Sequence, residues 1–164
     1  MESVLPLLSL LTYVAIVLGA GPAVALTFLL ARWVDFERAL TVVVGLPVLG
    51  AVLGALVLGG PVAGLVVAGT ALTLVIVPLL VGVALVSTRA DGDTTVALRR
   101  VALAWPVALL VSAAIFFLPG GVTRYNVTFL DWLVGLLAIG FVVAIVLLGP
   151  GIIGVLSFRR RGTR

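Results

Sequence analysis

The chain has 164 residues, 63% hydrophobic and only 10% charged, with a mean hydropathy of +1.43; a water-soluble domain of this size has no core large enough to hide so much apolar surface. Cysteine and histidine are absent, which excludes disulfides, thiol redox chemistry and sites built on thiolate or imidazole ligands. The net charge of +4 does not point to nucleic acid as a partner, because the ten basic residues, all arginine, lie between apolar runs and at the tail rather than on one basic face. Their exclusive use reads as a high-GC prokaryotic coding bias.

From Ser3 to Ala31 there is no charge, and the first polar break is the segment Arg32 to Arg38. A helix needs about 20 apolar residues to cross roughly 30 Å of hydrocarbon, so a first span is expected over residues 4–31, with Pro6 and Gly21-Pro22 as places for a tilt or kink. Ala23-Val24-Ala25 has the small residues of a cleavage site. The only charge ahead of it is Glu2, where a secretory signal is positive, and apolar sequence runs on to Leu30, so an uncleaved anchor is expected.

Ala39 to Thr88 is a second uncharged run, too long for one crossing, with Gly59-Gly60-Pro61 near its middle. A tight helical hairpin is expected, with spans over 39–58 and 61–86 and Pro61 in a first helical turn. Gly50 and Gly54, and then Gly60 and Gly64, form two GxxxG pairs. In lipid, small residues let helix backbones approach closely, so these four are the candidate packing positions, either within the hairpin or as a seam with a second copy or another membrane subunit.

A hydrophilic loop follows from Ser87 to Thr95, with an amphipathic end reaching Arg99-Arg100. The fourth span is expected over 101–118, up to Pro119-Gly120-Gly121, and the fifth over 132–156. The chain closes on Arg159-Arg160-Arg161-Gly162-Thr163-Arg164. The four arginines of this tail are candidates for gripping anionic lipid head groups, at about 1 kcal/mol each.

Five crossings put Arg32, Arg38, Arg89, Arg99, Arg100, Arg159, Arg160, Arg161 and Arg164 on one side and Arg124 alone on the other. Loops rich in arginine stay in the cytoplasm, which places the N-terminus outside and the C-terminus inside. Aromatic residues follow the same scheme: Trp33, Trp105 and Phe158 near inner ends, and Phe116, Phe117, Tyr125, Phe129 and Trp132 near outer ends. Asn126-Val127-Thr128 has the N-glycosylation pattern and falls in the expected outer loop.

No expected span interior carries an ionisable residue, which argues against proton relays, voltage sensing and intramembrane carboxylate pairs. Thr12, Tyr13, Thr70, Thr73 and Ser112 remain as candidates for a small polar site, against the ordinary arrangement in which such a hydroxyl bonds to a carbonyl one turn back. Pro22, Pro47, Pro78, Pro106 and Pro150 recur at similar depth in the inner half, so kinks could splay an inner vestibule; the plainer reading is that proline is common in membrane helices and that Pro106 sits in a first turn. Asp91-Gly92, followed by Ala97 and Arg99, distantly resembles the signature of the CDP-alcohol phosphatidyltransferases. Its spacing differs, and the fourth span lacks the further aspartates which that resemblance requires.

The expectation is therefore one all-α domain over 1–164, a five-helix bundle crossing the cytoplasmic membrane, without catalytic activity, cofactor or metal. Its expected role is a subunit, assembly factor or scaffold in a membrane complex. An oligomeric small-solute permease or channel is the alternative, and a lipid-modifying enzyme using Asp91 and Asp93 comes last.

Overall fold

The computed structural model describes residues 4–88, 93–117 and 129–159, with side chains described over 7–88, 93–115 and 140–157. Its regular structure is entirely helical: α1 (Val4–Leu30), α2 (Phe36–Leu40), α3 (Leu46–Ala71), α4 (Val77–Ser87), α5 (Thr94–Phe117) and α6 (Phe129–Arg159), with π-helical turns at Thr41–Gly45 and Leu72–Ile76. The apolar residues show almost no one-sided periodicity, as in helices surrounded by apolar material on every face. Leu18 is 71% exposed, Leu65 73% and Leu58 90%. Such an outward face belongs against lipid or another protein rather than water. Among the described residues, Leu7–Leu30, Phe36–Ser87, Thr94–Ile115 and Gly140–Ser157 are long and apolar enough to cross a membrane.

The stretch from Phe36 to Ser87 is 52 residues long, about 78 Å if straight, more than twice the thickness of a hydrocarbon core. It is not straight. Gly60 has φ 79° and ψ −178°, a conformation reached essentially only by glycine. Past it the chain folds back on itself: a methyl placed on Gly64 would lie 3.0 Å from Leu56 Cβ and 3.3 Å from Leu56 Cα. In a straight helix, residues eight apart are separated by about 12 Å. We refer to residues 36–59 as the first leg and 61–87 as the second.

Each leg contains a proline just after a π-helical turn, Pro47 beyond Thr41–Gly45 and Pro78 beyond Leu72–Ile76. A proline within a helix has no N–H for the carbonyl four residues back and collides with it, and a wider turn makes room for the ring. In the second leg the Val77 N–H reaches Leu72 O, five residues back, which is the π pattern.

α5 begins earlier than the expected start at residue 101. Asp93 Oδ1 accepts the N–H groups of Thr95 and Val96 at 3.0 and 3.1 Å, so this carboxylate caps a helix that starts at Thr94. Two expectations change as a result. Residues 94–100 are the first turns of α5 rather than loop, and Pro106 sits inside the helix rather than in its first turn. Arg99 and Arg100 lie in these first turns. The Arg99 guanidinium is 5.5 Å from the centroid of the Phe36 ring, and Arg100 donates to Ser157 Oγ at 3.0 Å.

The closest packing joins α4, α5 and α6, and glycines make it possible. A methyl on Gly82 would fall 2.5 Å from Val101 Cγ1, one on Gly151 3.2 Å from Gly82 Cα, and one on Gly154 2.7 Å from Val86 Cγ2. Around Val86, Ala97 and Val101 this forms a small core of its own, while the larger one gathers Val17, Ala20, Val24, Leu74, Val75, Trp105, Leu109 and Val146 from α1, the second leg, α5 and α6.

These placements separate three glycines that look alike in sequence. Gly60→Ala is expected to cost about 1–3 kcal/mol through backbone strain, and Gly82→Val a similar amount through overpacking against Val101. Gly50→Ala, where a methyl meets nothing within 4 Å, should leave stability unchanged or slightly raised. Unfolding of the purified protein in mixed micelles checks the order, and a Gly50→Ala variant as impaired as the other two would contradict it.

Candidate functional site

The second leg is close-packed only in part, and clefts flank it. One, of about 680 Å³, opens between α1, the second leg and α6, with Ser9, Tyr13, Thr70 and Thr73 contributing hydroxyls and leucines, valines and Gly69 the rest of the described wall. Another, of about 600 Å³, runs between α1 and the first leg from Leu11 to Leu26, with Thr12, Pro22, Pro47 and Trp105 on its walls. A third, of about 750 Å³, separates the two legs and is apolar apart from Thr41.

The five hydroxyl residues expected to form a polar site divide between these clefts and the core. Thr12, Thr70 and Thr73 donate to the carbonyls of Leu8, Val66 and Gly69 at 2.8, 2.8 and 2.9 Å, each one turn back. Ser112 is fully buried and donates to Leu109 O at 2.7 Å. A hydroxyl has one proton, so in the 2.9 Å contact with Tyr13 the phenol is the donor and Ser112 the acceptor. That bond joins α1 to α5. Tyr13, Thr70 and Thr73 therefore share the first cleft, Thr12 faces the second, and Ser112 supports Tyr13 from behind. Ser9 is not among the residues expected from the sequence, yet it belongs with them: it precedes Tyr13 by one helical turn and lies 3.4 Å from Thr70 Oγ1.

The four packing glycines also divide. Gly64 meets Leu56 across the hairpin and Gly60 makes the turn, whereas a methyl added at Gly50 or Gly54 would meet no described atom within 4 Å. Close contacts elsewhere in the bundle fall to Gly82, Gly149, Gly151 and Gly154, which form no GxxxG pair on α4 and lie on α6 at spacings of two, three and five. The lipid-binding candidates Arg160, Arg161 and Arg164, the side chain of Arg159, the glycosylation candidate Asn126 and Asp91 lie outside the described residues. Among those described, no group of carboxylates is placed to hold a metal ion. The five recurring prolines do not surround one cavity: Pro22 and Pro47 line the second cleft, and Pro78 and Pro150 are fully buried.

Trp105 corrects an expectation. Rather than anchoring at the interface, it is 2% exposed, and its indole Nε1 donates to Leu74 O at 2.7 Å. The reason is local chemistry. Leu74 is four residues before Pro78, so its carbonyl is the one that Pro78 cannot serve, and in hydrocarbon such an acceptor must find a donor within the protein. Trp33, by contrast, is 80% exposed beyond the end of α1. No known protein family, characterised protein or solved structure matches the chain.

If Trp105 compensates for Pro78, the two positions are energetically coupled. Trp105→Phe should destabilise by about 1–2 kcal/mol through the abandoned carbonyl. In a Pro78→Ala background, where residue 78 regains an N–H, that cost should shrink by about 1 kcal/mol. A double-mutant cycle read by thermal unfolding measures it, and equal costs in both backgrounds would show that the indole contributes packing alone.

Proposed function

We propose that the chain crosses the cytoplasmic membrane five times, N-terminus outside, and serves as a non-catalytic subunit, assembly factor or scaffold in a larger membrane complex. The crossing number is supported by the fold-back at Gly60, since each leg of roughly 25 residues reaches about 37 Å, enough for a full passage. Nine arginines against one support the orientation.

One observation carries the role. At the glycines that hold this bundle together, such as Gly82, Gly151 and Gly154, an added methyl would collide with a neighbouring helix. At Gly50 and Gly54, a GxxxG pair one turn apart on the first leg, it would meet no described atom within 4 Å, as at Gly19, Gly21, Gly69 and Gly140. Gly50 is exposed with Ala51 and Leu53 beside it. A glycine in a helix costs about 1 kcal/mol relative to alanine. In membranes that cost is offset where another helix comes close, so the first leg has the character of a contact surface for a second polypeptide.

The test is extraction from the native membrane in mild detergent. A distinct protein should co-purify in fixed proportion with the wild-type chain and be lost from a Gly50→Ile/Gly54→Ile variant whose own thermal stability is unchanged. A chain that purifies alone, or a partner indifferent to the substitution, refutes the reading. The cleft bearing Ser9, Tyr13, Thr70 and Thr73 favours a second reading, an oligomeric small-solute permease or channel. Self-assembly accompanied by solute flux in liposomes would select it.

A further inference from the structure

We propose that the cleft between α1, the second leg and α6 is a binding site for an uncharged amphiphile bearing a free hydroxyl, with its hydrocarbon part along the leucine and valine walls. This goes beyond the subunit role and does not depend on it. The cleft's volume of about 680 Å³ lies within the range of small-molecule sites. Among the described residues its polar lining is hydroxyl only, within the apolar length of the helices, where a charged ligand would be strongly disfavoured.

The protons of that lining are accounted for one by one. Thr70 and Thr73 spend theirs on Val66 O and Gly69 O, so both oxygens present only lone pairs to the cleft. Ser9 differs. Its one contact among the described hydroxyls, with Thr70, is 3.4 Å long, well beyond the usual 2.5–3.0 Å for two hydroxyls. A hydroxyl oxygen seated about 2.8 Å from each would accept from Ser9 and donate to Thr70, turning one slack contact into two good bonds. An ether or ketone can accept from Ser9 but has nothing to give Thr70 or Thr73. An alcohol fits both demands.

The test uses the full chain in phosphatidylcholine nanodiscs and a long-chain alcohol carrying a diazirine. Photolabelling is expected within residues 7–13 and 65–73. In competition, 1-dodecanol should displace the probe roughly two- to tenfold better than dodecyl methyl ether, the value of one hydrogen bond. Ser9→Ala and Thr70→Val should weaken labelling by a similar factor, while Thr12→Val, on the other cleft, leaves it intact. Equal competition by the ether on the wild-type chain overturns the proposal whatever the variants do. Stronger competition by dodecylammonium overturns the uncharged ligand class, and labelling confined to other segments overturns the site.

Discussion

A backbone carbonyl in hydrocarbon has no water to fall back on, and the bond from the Trp105 indole to Leu74 O shows how far this bundle is arranged around that fact. Pro78 deprives Leu74 of its helical donor, the preceding turn widens to admit the ring, and a side chain from α5 supplies the missing proton. The bond ties the second leg to α5, and Tyr13 with Ser112 ties α1 to the same helix. α5 thus becomes the post against which the others are set. The larger core of Val17, Ala20, Leu74, Val75 and Leu109 closes around these two polar links.

Packing quality is divided across the molecule. α4, α5 and α6 meet through glycines at distances that leave no room for a methyl, which makes them close to a rigid unit. The part of the second leg ahead of α4, residues 61–76, by contrast borders three clefts of 600 Å³ or more, two of them facing α1. Fewer dispersion contacts hold that side than join α4 to α6. The surfaces proposed for other molecules, a helix on Gly50 and Gly54 and an amphiphile beside Ser9 and Thr70, involve the first leg and residues 61–76 rather than the glycine contacts of α4 to α6.

Much of the architecture is legible in the residues. The uncharged runs locate the helices, Gly59-Gly60-Pro61 locates the fold-back, and the habit of threonine in helices anticipates where Thr12, Thr70 and Thr73 send their protons. What stays hidden is whatever depends on a partner distant in sequence. Tryptophan is common at membrane interfaces, which makes that the natural expectation for Trp105; its actual partner, 31 residues away, is set by packing. The GxxxG spacing points to Gly50 and Gly54, while the glycines buried between α4 and α6 have no such repeat across the two helices to announce them. Asp93 has the sequence setting of a solvated turn residue, and only the geometry of Thr95 and Val96 shows it starting a helix.

The fold-back at Gly60 has a bearing on how the chain enters its membrane. Between Leu58 and Val62 there is no charge and no polar side chain, and Pro61 removes one of the few backbone donors that the bend leaves exposed. Carrying such a tip through the lipid requires desolvating only a few peptide groups, far less than a loop holding arginine or aspartate would demand. In the five-crossing arrangement proposed above, two apolar arms joined by so dry a tip would enter the lipid as a pair.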